Sequence, residues 1–294
     1  MILSGTQIAQ SLREEMREQI ASMVDSGRRA PCLAIVLVGE NKASEKYVGN
    51  KLRAAEKIGM TARLVRLPQS VEQEELISQI AELNEDSGVD GIIVQLPLPE
   101  HLNEEAIICA ITPEKDADGL HPLNEARLWR GQQGIRPCTP QGVIYLLDKA
   151  GVAIDGKRAV VVGRGDLAGK PIAKMLLDRH ATVTMAHSHT RNLPSLCREA
   201  DILVSAAGQA GLITADCVKE GAAVIDVGIS VTEEGKMVGD VCFDEVAKKA
   251  AWITPVPGGV GPMTIAMLLY NTLQCYLNQN NVTKTKYLNL IIIK

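Results

Sequence analysis

The feature that most limits the fold of this chain is the order in which two hydrophobic periods alternate along it. Short, nearly unbroken apolar runs at Cys32–Val38, Gly91–Leu96, Ala159–Val162, Ile202–Ala206 and Ala223–Val227 are separated by stretches with helical spacing of apolar residues. A run without polar alternation marks a strand buried on both faces, and an amphipathic helix is the connection that parallel strands need. The reading that follows is an α/β protein with parallel sheets.

In finer detail, Ile8, Leu12, Met16 and Ile20 recur every fourth residue and predict a helix over about 5–24. A strand at Cys32–Val38, a helix at Ser44–Ile58 capped by Ser44, a strand at Thr61–Leu67, a helix at Glu72–Leu83 and a strand at Gly91–Leu96 complete a first α/β series. The Pro-rich passage Pro137-Cys138-Thr139-Pro140 interrupts the pattern, and a helix at Gln141–Ala150 follows. A second series then runs through strand Ala159–Val162, helix Pro171–Arg179 and strands Ala181–Met185, Ile202–Ala206 and Ala223–Val227. A last helix over about Thr264–Leu277 comes after a Gly/Pro loop at 254–262. The expected division is a first domain over 1–137, a dinucleotide-binding domain over 138–263, and a C-terminal helix and tail over 264–294 packing back toward the first.

Charge and composition narrow the partners. The 294 residues carry a formal net charge of −4 without a dense Lys/Arg block, so the electrostatic footprint of a nucleic-acid or membrane-surface binder is missing and small molecules are the expected partners. Seven scattered cysteines without a Cys-x-x-Cys pair argue against a zinc ribbon or a disulfide framework, and point to buried thiols in a reducing compartment. His187 and His189 stand two apart but no ligand cluster surrounds them, so a metal is not expected. The N-terminal stretch reaches Arg13, Glu14 and Glu15 without the plan of a signal peptide, and no apolar run approaches a membrane span, so a cytoplasmic protein is expected. The terminal run 289–294 reads either as a packed end or as a loose tail.

Between the strand at 159–162 and the helix that follows lies Gly163-Arg164-Gly165-Asp-Leu-Ala-Gly169. Its first two glycines let backbone approach a pyrophosphate at the helix N-terminus, where N–H groups and the dipole favour an anion. An NAD site usually adds an acid about 20 residues on, at the end of the second strand, to bind the ribose hydroxyls. Here that strand ends in Ala186-His187-Ser188-His189-Thr190-Arg191, and Arg164, Ser188 and Arg191 are instead suited to a 2′-phosphate that a carboxylate would repel. The expected cofactor is NADP.

A second set of candidates lies in the first domain. Tyr47 and Lys51 stand one helical turn apart and share a face. Gln95 ends an apolar run at the C-terminal end of a parallel strand, where open α/β sheets bind ligands. Asp116 and Asp118 crowd a loop ending at Gly119, and either carboxylate suits a planar pair of donors.

Taken together, seven motifs in order cover nearly the whole chain: Tyr47-Val-x-x-Lys51, Gln95-Leu-Pro-Leu-Pro99, Lys115-Asp-Ala-Asp-Gly119, Pro137-Cys-Thr-Pro140, Gly163-Arg-Gly165, His187-Ser188-x-Thr190 and Thr254-Pro-Val-Pro-Gly-Gly-Val-Gly-Pro-Met-Thr264. This set resembles the bifunctional methylenetetrahydrofolate dehydrogenase/methenyltetrahydrofolate cyclohydrolase family. The resemblance implies two three-layer α/β domains around a folate cleft, the second of Rossmann type, and a homodimer acting on one-carbon derivatives of tetrahydrofolate. It also implies roles: Lys51 as general acid and base, Tyr47 and Gln95 as its orienting partners, and Asp118 as the pterin ligand. Gly163, Arg164, Gly165, Ser188 and the backbone of Ile229 fall on cofactor contacts, and Pro257, Gly258 and Gly259 on a loop bordering the folate.

The chain departs from the resembling pattern in places. A serine is common where Gly165 stands, a cysteine is common at Ala186, and Ser230-Val-Thr-Glu-Glu234 replaces a frequent Asn-Arg after Ile229. Two rival readings remain at this stage: another two-domain NADP-dependent dehydrogenase, of the shikimate or amino-acid type, and a catalytically silent nucleotide-binding regulator. The Gln-Leu-Pro-Leu-Pro and Pro-Gly-Gly-Val-Gly-Pro segments speak against the first, and the joint presence of Tyr47, Lys51, Gln95 and Asp118 against the second.

Overall fold

Strand β1 (Cys32–Val38) is buried along its whole length, as a run of seven apolar residues demands of a strand covered on both faces. In the computed structural model, which describes residues 1–280, it is the middle strand of a three-stranded parallel sheet ordered β2-β1-β3, with β2 at Thr61–Leu67 and β3 at Gly91–Val94. β2 pairs with β1 from Cys32↔Thr61 to Val38↔Leu67, and β3 pairs with it from Leu33↔Gly91 to Val36↔Val94. The described residues form two compact units. This sheet belongs to the first, which comprises Ser11–Arg136 and 267–280.

Helices α2 (Lys42–Lys57), α3 (Gln73–Glu85), α4 (Glu104–Ala110) and α5 (Pro122–Trp129) lie in the same unit. Alternate residues Ala34 and Val36 of β1 join Leu76, Ile80, Ile92, Val94 and Ile107 in one buried cluster. Helix α2 starts two residues before the expected position, because the Asn41 side chain accepts from the N–H groups of Ala43 and Ser44 and so acts as the cap. Ser44, the expected cap, is instead buried within the first turn.

The second unit comprises Met1–Gln10 and Pro137–Ala266. It contains α6 (Cys138–Lys149), β4 (Arg158–Val162), α7 (Gly169–Asp178), β5 (Thr182–Ala186), α8 (Leu193–Cys197), β6 (Ile202–Ser205) and β7 (Ala223–Asp226). The antiparallel pair β8 (Ser230–Val231) and β9 (Met237–Val238) follows, then α9 (Phe243–Val246) and β10 (Trp252–Ile253). Five of these strands form a parallel sheet ordered β10-β7-β6-β4-β5. The chain goes from β4 to β5 on one side and then to β6 on the other, so strand order reverses between β4 and β6. That is the switch point at which α/β sheets open a crevice beyond the carboxyl ends of their strands.

Two helices pass from one unit into the other: α1 (Gly5–Asp25) and α10 (Val260–Gln279). The first ten residues, expected in the first domain, cluster with 137–266. Leu3 N–H donates to the Ile253 carbonyl over 2.7 Å and Ile2 bridges Ile253 in parallel, which adds the start of the chain to the exposed edge of β10. The terminal run 289–294 lies outside the described residues. None of the described helices is long and apolar enough to cross a membrane.

Candidate active site

In the first unit, two of the predicted catalytic side chains, Lys51 and Gln95, meet at the carboxyl end of the sheet. Gln95 follows β3 directly, and its N–H extends the ladder by donating to the Val36 carbonyl over 2.9 Å. Its side-chain Nε2 donates to the Leu96 carbonyl at 2.5 Å, which turns Oε1 outward to accept from Lys51 Nζ at 3.1 Å. Lys51 stands on α2, whose buried Val48, Ala54 and Ala55 fix the face that meets the protein. Tyr47, one turn earlier, is half exposed with its ring open to solvent.

The Asp116–Gly119 loop runs beside β3. Ile92 N–H donates to the Lys115 carbonyl and Ala117 N–H to the Ile92 carbonyl, so Ile92 and Asp116 form a parallel bridge. The bridge ends there: Gly119 N–H donates back to the Asp116 carbonyl, so Ala117 and Asp118 lie in a turn that follows it. The two aspartates divide sharply in their surroundings. Asp116 Oδ1 accepts from Gly119 and Leu120 N–H, and Oδ2 from His121 N–H and Asn124 Nδ2, all within 3.2 Å. Burial pushes its carboxyl up and these donors pull it back. Asp116 therefore shapes the loop, while Asp118, in the turn it organises, is only partly buried. Lys115 of the same motif is also structural: its buried Nζ donates to the carbonyls of Leu83 and Asp86.

In the second unit, register explains why cofactor candidates far apart in sequence meet. Val162 pairs with Ala186 on one side and with Ser205 on the other, and Ser205 pairs with Asp226. The residues that follow these strands, Gly163–Gly165, His187–Ser188, Ala206–Gln209 and Gly228–Ile229, therefore leave the sheet along one edge. Thr254, Pro257, Gly258 and Gly259 follow β10 at the same edge, where Thr254 N–H donates to the Val224 carbonyl. Thr6 fixes this last loop by donating its N–H to the Gly258 carbonyl at 3.0 Å.

Two glycines of the turn are required by the protein's own packing. Gly163 has φ of +117°, and a Cβ there would stand 2.1 Å from the Ala206 carbonyl oxygen. Gly169 opens α7 so close to the turn that a Cβ would stand 2.3 Å from the Gly163 carbonyl oxygen. Gly165, expected to be one of the two glycines required for close approach, has open space around its Cβ position and a backbone that any residue adopts. Packing within the protein thus excludes a Cβ at Gly163 and Gly169. Arg164 and Ser188 are exposed, and no acid stands at the end of β5. His187 and Thr190 close the turn there, with His187 N–H donating to Thr190 Oγ1 over 2.8 Å.

Comparison with known proteins agrees with both halves of this geometry. Residues 3–118 match the family model described as tetrahydrofolate dehydrogenase/cyclohydrolase, catalytic domain, and residues 137–280 match its NAD(P)-binding domain. The chain belongs to the tetrahydrofolate dehydrogenase/cyclohydrolase family. It is 54% identical to the bifunctional protein FolD of Moorella thermoacetica over 273 residues, 93% of this chain and 97% of that one. The crystal structure of the bifunctional FolD of Campylobacter jejuni superposes with a TM-score of 0.92 at 45% identity, covering 95% of this chain and 99% of that one. The Trypanosoma brucei FolD complexed with NADP cofactor and an inhibitor gives a TM-score of 0.90 at 43% identity, over 95% and 98% of the two chains. Membership makes this chain a bifunctional folate enzyme, dehydrogenase and cyclohydrolase, with a nicotinamide nucleotide as cofactor. The rival readings as a shikimate or amino-acid dehydrogenase and as a silent regulator are set aside.

Two carboxylates at the nucleotide edge escaped the sequence reading. Asp226 and Asp240 are almost wholly buried, and burial followed by the proximity of Asp240 pushes Asp226 up to about 6 against the pull of its N–H donors. An acid closing the apolar run Ala223-Val-Ile-Asp226, and another between Gly239 and Val241, were the available signals. Among the described residues, no group of three or more His, Cys, Asp or Glu side chains is arranged to hold a metal ion.

Proposed function

We propose that Lys51 is the proton carrier by which this chain hydrolyses 5,10-methenyltetrahydrofolate to 10-formyltetrahydrofolate, after NADP-dependent oxidation of 5,10-methylenetetrahydrofolate. The observation that carries the assignment is the Lys51–Gln95 hydrogen bond at the carboxyl edge of the sheet. Hydride loss from a methylene carbon between two nitrogens leaves a cation delocalised over both, so the oxidation requires alignment of reactants more than an acid or base. NADP+ supplies the hydride acceptor for that step.

Hydrolysis makes different demands. Water adds to the methenyl carbon and loses a proton to the Lys51 amine, a form that the neighbouring substrate cation favours. The resulting ammonium returns a proton to N5 as its bond to the formyl carbon breaks, leaving the formyl group on N10. One group thus acts as base and then as acid. Gln95 Oε1 holds the lysine head group between these transfers, and Tyr47 orients the water and the leaving nitrogen. Asp118 pairs with the aminopyrimidinone edge of the pterin, whose two parallel donors match a carboxylate. Pro257, Gly258 and Gly259 border the same substrate.

On the nucleotide side, Gly163 and the first turn of α7 receive the pyrophosphate. Arg164 and Ser188, each two residues beyond the paired positions Val162 and Ala186, hold the 2′-phosphate, and the Ile229 backbone contacts the cofactor. The absence of an acid at the end of β5 favours NADP over NAD. The working form in this reading is a cytoplasmic homodimer of two α/β domains. A reducing compartment suits seven cysteines that form no disulfide.

Steady-state assays of the purified protein with 5,10-methylenetetrahydrofolate test the reading. NADP+ should exceed NAD+ at least tenfold in kcat/KM, and added methenyltetrahydrofolate should be consumed without nucleotide. Equal use of the two nucleotides, or hydrolysis that needs one, would contradict it.

A further inference from the structure

The buried carboxylates at the edge of the second sheet are linked in series. Asp226 ends β7, and its Oδ1 accepts from Gly228 N–H and Asp240 N–H at 3.0 Å each while Oδ2 accepts from Val241 N–H at 2.9 Å. The segment so held carries Asp240, whose Oδ2 accepts from Ser205 Oγ at 2.9 Å, Ala207 N–H at 2.7 Å and Gly208 N–H at 3.3 Å. Asp240 Oδ1 accepts from Gln209 N–H at 2.8 Å. The two segments interlock closely: a Cβ on Gly228 would stand 2.0 Å from Asp240 Oδ1, and one on Gly239 would stand 2.0 Å from Asp226 Oδ2.

The bonds to the Asp240 carboxylate come from Ser205 at the end of β6 and from the segment that leaves it, and those to Asp226 come from Gly228, just beyond β7, and from the Asp240–Val241 backbone. Strand order reverses beside β6, and the Ala206 carbonyl forms the wall against which Gly163 is packed. Ionised acceptors form the shorter and stronger hydrogen bonds, and three successive N–H groups, from Ala207, Gly208 and Gln209, converge on one carboxylate. We propose that Asp240 and Asp226 form a latch that fixes the Ala206–Gln209 and Gly228–Ile229 backbone in the shape that receives the nicotinamide nucleotide. They are positioning residues, and the inference rests on reading this edge as the nucleotide site.

Asp240→Asn places an amide donor against at least one N–H, most directly that of Gln209. Ser205→Ala removes one donor and leaves the other three. The measurements are the NADP+ dissociation constant, KM and kcat for NADP+ oxidation, and hydrolysis of methenyltetrahydrofolate without nucleotide. We expect Asp240→Asn to raise the NADP+ dissociation constant and KM tenfold or more, and Ser205→Ala two- to fourfold, with nucleotide-free hydrolysis changed less than threefold in each. Should Asp240→Asn not fold, Ser205→Ala decides by the same criteria. Unchanged NADP+ affinity in a folded variant overturns the latch, as does a matched fall in oxidation and hydrolysis that follows the melting temperature. Wild-type protein that binds no NADP+ overturns the nucleotide reading, and the latch with it; wild-type binding with unaffected variants overturns the latch alone.

Discussion

Lys51 Nζ donates to Gln95 Oε1 over 3.1 Å, and Gln95 is itself held by the Leu96 carbonyl through its Nε2. A helix residue and a residue at the end of a strand, 44 positions apart, are thereby set as a lysine and its orienting amide. Gln95→Leu keeps the side-chain size and removes both bonds. It should lower nucleotide-free hydrolysis about 10- to 100-fold, within the range of general acid–base effects, and oxidation less than about threefold. Parallel progress curves check this, and an equal fall in both rates would place Gln95 in substrate binding instead.

The two aspartates of the 115–119 motif should separate by experiment. Asp116→Ala leaves four donors around an empty site and should cost about 3 kcal/mol of stability, seen as a clear drop in melting temperature. Asp118→Ala should leave the melting temperature within a few degrees while raising the folate KM of both reactions tenfold or more. A thermal scan beside folate titrations distinguishes them; unchanged folate affinity in Asp118→Ala would move pterin recognition elsewhere.

At Gly165 the space for a side chain is open, and a serine is the common residue in the resembling enzymes. Gly165→Ser should tighten NADP+ by the worth of about one hydrogen bond, roughly 0.5–1.5 kcal/mol or 2- to 13-fold. Gly163→Ala should instead abolish binding or folding, since its Cβ would stand 2.1 Å from the Ala206 oxygen. Nucleotide titration monitored by fluorescence checks both, and weaker binding by Gly165→Ser would mean that the turn is adapted to the missing side chain.

Asp226 gives a pH signature. Its carboxyl lies near 6 in the folded chain against an ordinary value of 3.8, so its protonation favours the folded state. The contribution is full below the ordinary value and is lost as pH rises through about 6. Asp226→Asn lacks this titration, so its melting-temperature deficit relative to wild type should be largest near pH 4 and shrink by pH 7. A deficit that is constant or grows over that window would show that Asp226 is not raised.

Much of the fold was legible because burial on both faces leaves an unmistakable mark: β1, β3 and β7 are apolar runs, and each appears where the sequence places it. Helix starts were less legible. Cys138 and Val260 open α6 and α10 several residues before the expected starts, since Pro140 and Pro262 sit in first turns, where a missing N–H costs no helical bond. Lys51 and Gln95, which the fold joins by a hydrogen bond, were singled out by helix spacing, a strand end and motif order, and Asp118 by motif order. Asp226 and Asp240 lie 14 residues apart, and their partnership is a tertiary fact that no local period carries.

The central claim is that one lysine serves hydrolysis and that oxidation proceeds without it. The most direct test compares Lys51→Ala with wild type, measuring NADP-dependent formation of methenyltetrahydrofolate and its nucleotide-free hydrolysis in the same folded preparation. The account predicts hydrolysis reduced at least 100-fold with substantial oxidation remaining, so that methenyltetrahydrofolate accumulates. Equal loss of both activities, or hydrolysis that persists, would contradict the division of labour assigned to Lys51.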